Sequence, residues 1–264
     1  MTGRAYTAAM SFDVAAEAYD SFMGRYSRPL AAAFVQWAGL PAAGRALDVG
    51  CGPGSLLAAL AARWGEDRLA GIDPSESFVA AARSRFPQAD IRSGSAESLP
   101  HADDAFDAAL AELVVHFMTD AEAGVREMVR VTRPGGVVAA CVWDFVGGRA
   151  PQTRFFEALC AVDPDAEDET KRVGGRRGDL AALLRAAGCA DVAEAELTVQ
   201  VAYSGFDDWW MPYTRGVAPA GKQLAALSED ARERVREKAR ELMPGRPFTV
   251  TATAWAARGR APQG

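Results

Sequence analysis

Residues 45–55 read Arg-Ala-Leu-Asp-Val-Gly-Cys-Gly-Pro-Gly-Ser, and the reading of the whole chain turns on them. Arg45 to Val49 is a short apolar run with one acid, Asp48, near its end. Gly50, Gly52 and Gly54 follow two apart, and Ser55-Leu56-Leu57-Ala58-Ala59-Leu60 then opens a helical pattern. Strand, glycine turn and helix in succession bring the N–H groups of a helix N-terminus to face a ligand. Glycines in that turn let the backbone take positive φ and approach the ligand closely. The spacing is G-x-G-x-G; a dinucleotide fingerprint would need glycine at position 55, where this chain has Ser55.

The octapeptide L-D-V-G-C-G-P-G, residues 47–54, resembles motif I of the class I S-adenosylmethionine (SAM)-dependent methyltransferases almost letter for letter. The resemblance implies a doubly wound, Rossmann-like α/β fold. Its sheet would be mostly parallel and seven-stranded, with the last strand antiparallel and helices on both faces. It implies SAM as cofactor and a small molecule as methyl acceptor. Asp48 would organise the turn and reach the methionine amino group, with Gly50, Cys51, Gly52 and Gly54 lining the cofactor.

Bulk composition agrees with one soluble α/β unit. The chain has 264 residues, of which 49% are hydrophobic and 24% charged, an ordinary globular balance. A net charge of −6 argues against broad phosphate-backbone binding, which needs clustered Lys and Arg. The four cysteines form no C-x-x-C pair, so neither a zinc site nor a redox motif is expected. No apolar run approaches the roughly 18 residues of a membrane span, and the N-terminus lacks a signal-like apolar core. The expectation is a cytoplasmic protein with no membrane, nucleic-acid or metal partner.

Before the glycine turn, Phe12, Ala16, Tyr19, Met23 and Tyr26 recur at helical spacing, as do Leu30, Phe34 and Trp37. Aromatic stripes of this kind commonly pack into a core. The resemblance adds a second reading, in which residues 12–40 form a helical lid over the cofactor. Tyr19, Arg25 and Tyr26 are then candidates for its methionine end, Arg25 pairing with the carboxylate.

Beyond the turn, Arg68 to Asp73 reads as a second strand ending in an acid, nineteen residues past Gly54. A carboxylate there suits two vicinal ribose hydroxyls. Asp73 followed by Pro74 and Glu76 also makes a respectable helix start. Pro74 and Phe78 are placed to line the adenine. Ala89 to Ser93 is a third strand, and Gly94-Ser95-Ala96-Glu97 follows it. Many relatives carry Asp where Ser95 stands, so the expected contacts to the adenine edge move to the backbone of Ala96 and Glu97. His101 sits in a polar loop and reads as solvated.

Phe106 to Glu112 is a fourth strand, and the turn after it, L-V-V-H-F-M, lacks the N-P-P-Y-like tetrapeptide of nucleic-acid base methyltransferases. Glu112 lies at that strand's C-terminal end. His116 is the one imidazole near the expected methyl group, a candidate general base or a packing side chain. Thr119 to Glu122 matches a capping box for a helix through Val131. Arg133-Pro134-Gly135-Gly136 stops it before a fifth strand, Val137 to Trp143. Gly50, Asp73, Ser95 and Glu112 thus fall beyond the C-terminal ends of parallel strands, where such sheets bind ligands.

Residues 45–143 form the expected cofactor-binding core of a single domain spanning 1–264, with substrate-side insertions at 144–178 and 204–247. A helix is expected over Gln152 to Ala161, and the acid run Asp163 to Glu169 reads as a solvated loop without a calcium pattern. Lys171, Arg172, Arg176 and Arg177 read as a solvated basic turn. A helix over Asp179 to Ala187 and a strand over Val192 to Tyr203 precede the second insertion. Trp209, Trp210, Met211 and Tyr213 suit either an acceptor pocket or local packing. Ser228 to Leu242 reads as a charged helix with Glu233–Arg236 and Glu237–Arg240 pairs, and Phe248 to Ala256 as the last strand.

Methyl transfer from a sulfonium needs alignment more than acid–base machinery, which fits the absence of an obvious catalytic dyad. Alternatives from other classes are a non-catalytic SAM-binding protein, a nucleic-acid methyltransferase and an NAD-dependent oxidoreductase.

Overall fold

Seven strands build the sheet of the computed structural model, which describes residues 16–245 and 247–263. They are β1 (Ala46–Val49), β2 (Leu69–Asp73), β3 (Asp90–Ser93), β4 (Phe106–Glu112), β5 (Thr132–Trp143), β6 (Ala190–Tyr203) and β7 (Phe248–Arg260). The order across the sheet is β3-β2-β1-β4-β5-β7-β6. Strands β1 to β5 pair in parallel, and β7 runs antiparallel to both β5 and β6. The expected seven-stranded, doubly wound sheet with one antiparallel strand is therefore present.

Every residue of β1 and β2 is buried, as in a strand covered by helices on both faces. From Leu197 to Tyr203 the edge strand β6 instead alternates buried and exposed, which is what one solvated face requires. Helices α3 (Ser55–Trp64), α4 (Glu76–Arg85) and α5 (Ala121–Arg130) follow β1, β2 and β4. The strand order reverses between β1 and β4, which opens a crevice at their C-terminal ends.

Local chemistry explains most boundaries. Ser75 caps α4 by accepting from the Phe78 N–H, so Asp73 is left outside the helix. Asp120, rather than the expected Thr119, caps α5 through the Ala123 N–H at 2.9 Å. The amides of Thr119 and Asp120 are taken instead by Glu97, at 2.8 and 3.4 Å. Strand β5 begins five residues earlier than expected, at Thr132, with irregular pairing to β4 through Pro134-Gly135-Gly136.

The N-terminal segment forms two helices, α1 (Ala16–Phe22) and α2 (Gly24–Trp37). Phe12 lies outside the described residues. Tyr26, Leu30 and Phe34 share the buried face of α2. Ser27 bonds Ser55 at 2.9 Å, and Tyr26 bonds Tyr203 at 2.8 Å, tying α2 to α3 and β6.

After β5 come α6 (Thr153–Val162) and α7 (Asp179–Ala186). Between β6 and β7 lie α8 (Phe206–Trp210), α9 (Ala218–Ala226) and α10 (Glu229–Leu242). The dense aromatics of this insertion pack among themselves. Trp209, Trp210 and Tyr213 are buried with Phe155 and Phe206, Tyr213 stacking on Phe155 at 4.2 Å, while Met211 is 53% exposed. In α10, Glu233 pairs with Arg236 as expected, but Arg240 reaches Asp207 rather than Glu237. No helix among the described residues is long and apolar enough to cross a membrane.

Candidate functional site

The glycine turn is pinned from below. The Gly50 and Cys51 N–H groups both donate to the Ile72 carbonyl, and the Gly52 N–H donates to Asp73 Oδ2 at 2.9 Å. Asp73 Oδ1 accepts the Ser75 N–H at 2.9 Å, so one carboxylate ties the turn to the end of β2. Gly50, Gly52 and Gly54 take φ of +71°, +51° and +98°. A Cβ at Gly50 would lie 2.4 Å from Val114, and one at Gly54 2.4 Å from Phe86. At Gly52 a Cβ would meet nothing within 4 Å. That side of the turn is open.

The open side belongs to a solvent-open cleft with about 330 Å³ of free space. Tyr19, Asp48, Gly50, Cys51, Gly52 and Glu112 line it together with Ser27, Pro53, Ser55, Leu56 and Leu113. Six expected residues, from α1, β1, the turn and β4, are thus brought together. Asp73 stands one hydrogen bond behind them. Both lining acids are buried, Asp48 at 1% exposure, and Asp48 Oδ2 and Glu112 Oε1 have no hydrogen-bond partner among the described residues. Burial pushes the pKa of each well above the carboxylate range; the Asp73 charge adds to the shift at Asp48, and the Asp48 charge to that at Glu112. Burial likewise holds the Cys51 thiol protonated.

A second cleft, of about 400 Å³, adjoins the first, and Tyr19 and Leu113 line both. This inner cleft is walled by Phe22, Met23, Phe117, Trp143, Ala218, Pro219 and Ala220, with His116, Gln152 and Glu169 as polar groups. Among the described residues its lining includes no Lys or Arg. Leu113 and Ala218 take φ of +60° and +55°, a strained backbone for residues with a Cβ.

His116 is buried with Nδ1 unpartnered among the described residues. Burial, helped by the Arg172 charge, drives its pKa down to about 3. The imidazole is therefore neutral at ordinary pH and poorly disposed to take a proton, so the geometry favours a hydrogen-bonding over a general-base role. Glu169 and Gln152 were not anticipated. Glu169 ends an acid run that reads as solvated, yet it is buried and accepts from Gln152 Nε2 at 2.5 Å. Its pKa is raised, mainly by burial. Glu167 in the same run bonds Gln223 on α9, so the loop is anchored. Arg172 leaves the basic turn to lie 5.5 Å over the Phe117 ring.

The remaining expected residues lie elsewhere. Arg25 pairs with Asp208 at 2.8 Å and covers the Tyr203 ring at 4.3 Å, and it lines neither cleft. Pro74 and Ser95 are exposed, and Ala96 half-buried, past the ends of β2 and β3. Glu97 is committed to the start of α5. The Tyr19 ring packs on Phe78 at 5.1 Å. His101 stands edge-on to Phe106, with its Nε2 buried and unpartnered among the described residues.

Residues 47–140 match the family described as "Methyltransferase domain". A demethylmenaquinone methyltransferase of Roseiflexus castenholzii is 34% identical over 203 residues, 69% of this chain and 84% of that protein. A trans-aconitate 2-methyltransferase of Variovorax paradoxus is 34% identical over 128 residues, 48% of this chain and about half (49%) of that protein's length. Among solved structures, the fold is shared with a Haemonchus contortus phosphoethanolamine N-methyltransferase in complex with phosphomonomethylethanolamine and S-adenosylhomocysteine. That likeness has a TM-score of 0.57 at 15% identity and covers 94% of this chain and 57% of the other.

Proposed function

The chain belongs to the methyltransferase domain family, and on that premise we propose that it transfers the methyl group of SAM to a small molecule held in the inner cleft. The observation that carries this reading is the pair of joined clefts. One lies against the glycine turn with two buried carboxyls, each with one oxygen unpartnered among the described residues, and its neighbour is largely apolar.

The residues fit the cofactor's charges. Asp48 and Glu112 offer buried carboxyl oxygens to a ligand whose ammonium and sulfonium are both cationic. Gly52 leaves room beside them. Asp73, at the end of β2, presents the carboxylate for ribose hydroxyls. Pro74, Ser95, Ala96 and Glu97 mark the direction in which the adenine would extend. When bound, SAM supplies an activated methyl on sulfur, open to in-line displacement by the acceptor. The chain's own part is alignment and the exclusion of water. Tyr19 and Leu113 form the boundary at which the two partners meet, Phe22 and Met23 cover the acceptor, and neutral His116 orients it by a hydrogen bond.

One relative is named for demethylmenaquinone and another for trans-aconitate. A largely apolar cleft without lysine or arginine among its described lining residues suits a neutral acceptor better than a polyanion. Calorimetric titration with SAM, S-adenosylhomocysteine and NADH tests the reading: the first two bind and NADH does not. Binding of NADH alone would overturn it.

A further inference from the structure

A third cleft plays no part so far. It is open to solvent, with about 760 Å³ of free space, more than the inner cleft, and its walls set Phe145, Val146, Ala150 and Phe156 beside Thr153, Glu157, Asp168 and Thr170. It meets the inner cleft at Gln152 and Glu169, which line both. The bond from Gln152 Nε2 to Glu169 Oε2 makes these two side chains the partition. Gln152 Oε1 is buried without a donor among the described residues, although a buried carbonyl normally finds one. Val146, on the outer wall, is an apolar side chain left 43% exposed.

An outer cleft with a largely apolar wall, parted from the acceptor site only by the Gln152–Glu169 pair and its unsatisfied acceptor atom, suits an occupant that is apolar for most of its length and polar where it passes that pair. We propose that the methyl acceptor is an elongated molecule spanning both clefts. Its reacting end lies in the inner cleft, its apolar remainder fills the outer one, and a hydroxyl or N–H at the junction donates to Gln152 Oε1. The proposal rests on the methyl-transfer reading and extends it to the shape and polarity of the acceptor.

The test uses the full chain saturated with S-adenosylhomocysteine and titrated with phenol and 4-n-hexylphenol. A buried methylene tightens binding roughly fourfold, so hexylphenol binds at least about tenfold tighter than phenol if even two methylenes enter the outer cleft. Thr153 and Val146 line the outer cleft and not the inner one. Thr153→Trp, or Val146→Trp at the exposed position, should abolish the gain while phenol and S-adenosylhomocysteine bind as before. Equal affinity of the two phenols, a gain that survives both plugs, or failure of either phenol to bind the loaded protein would overturn the proposal. Failure of S-adenosylhomocysteine itself to bind would instead overturn the methyl-transfer reading beneath it.

Discussion

Asp48→Asn should make the free protein more stable and a worse binder of SAM. Asp48 is almost fully buried, one of its oxygens has no partner among the described residues, and the Asp73 charge lies close enough to raise its pKa further. Its folded-state pKa lies above the unfolded value of about 3.9. The folded chain therefore holds this proton more tightly than the unfolded one. The stability it contributes is complete below pH about 4 and is lost as pH rises toward the folded pKa. At neutral pH the side chain is a net burden to the free fold. Asparagine keeps the shape and removes the ionisation, so the free protein should gain stability at pH 7, by about 1.4 kcal/mol for each unit by which the folded pKa exceeds the unfolded one, and gain nothing near pH 4. Affinity moves the other way. Losing one of two buried acids that face a cation costs about 1.5–3 kcal/mol, the range of a charge-assisted hydrogen bond, or tenfold and more. Denaturant unfolding from pH 4 to 8, beside calorimetry with SAM, measures both. A variant that is no more stable at pH 7, or that binds SAM as the parent does, refutes the reasoning.

Three further substitution and titration experiments probe the same site. Asp73→Ala removes the acceptor of the Gly52 and Ser75 amides, so SAM affinity should fall at least about tenfold and the melting temperature should drop; unchanged affinity in a folded variant removes Asp73 from the cofactor site. Gly50→Ala and Gly52→Ala both strain a left-handed residue by about 1 kcal/mol, but only the first also meets Val114. Unfolding should therefore show Gly50→Ala the less stable of the two, while Gly52→Ala keeps its fold and loses SAM because its methyl enters the cleft. The chain has two histidines, both with lowered pKa, His116 to about 3. Imidazole NMR shifts in the free protein should show His116 neutral from pH 5 to 8, and a midpoint near 6.5 would contradict its burial beside Arg172.

The sheet was legible because its signals are local. Strand β4 runs from Phe106 to Glu112 as its apolar run does, and β1 ends where Gly50 takes positive φ. What stayed hidden was set by residues distant in sequence. Thr119 to Glu122 satisfies a capping pattern, yet Glu97 takes the Thr119 amide and the cap passes to Asp120. Arg25 is a fitting partner for a carboxylate and finds one, in Asp208 of the second insertion. Glu169 closes an acidic run whose other members face solvent or turn amides, and no periodicity separates it from them. Only the placement of α6 brings Gln152 to it. Most of the lining of the first cleft sits at the glycine turn and at the ends of β1 and β4, where short motifs could be read. The acceptor side is assembled from α1, the turn after β4, the segment before α6, the acid loop and the start of α9.

That division follows from the chemistry. A sulfonium methyl is activated before it reaches a protein, so a methyl-transfer site needs alignment more than acid–base groups, and the second cleft is free of that constraint. The strain lies at the join. Leu113 carries φ of +60° where β4 leaves the sheet, its N–H bonded to the Cys141 carbonyl at 2.8 Å, and its side chain lines both clefts. A leucine in that region costs about 1–2 kcal/mol, and it persists because β5 fixes the backbone from behind. Glycine there would relieve the strain and remove the wall between cofactor and acceptor. Leu113 is only 6% exposed, so losing its side chain costs about 2–5 kcal/mol and outweighs the relief. Leu113→Gly should therefore lower stability by a few kcal/mol while reducing methyl transfer far more than SAM binding. Comparison of unfolding, SAM affinity and single-turnover rate would reveal this, and a parallel loss of all three would show that Leu113 serves the fold and not the meeting of the two ligands.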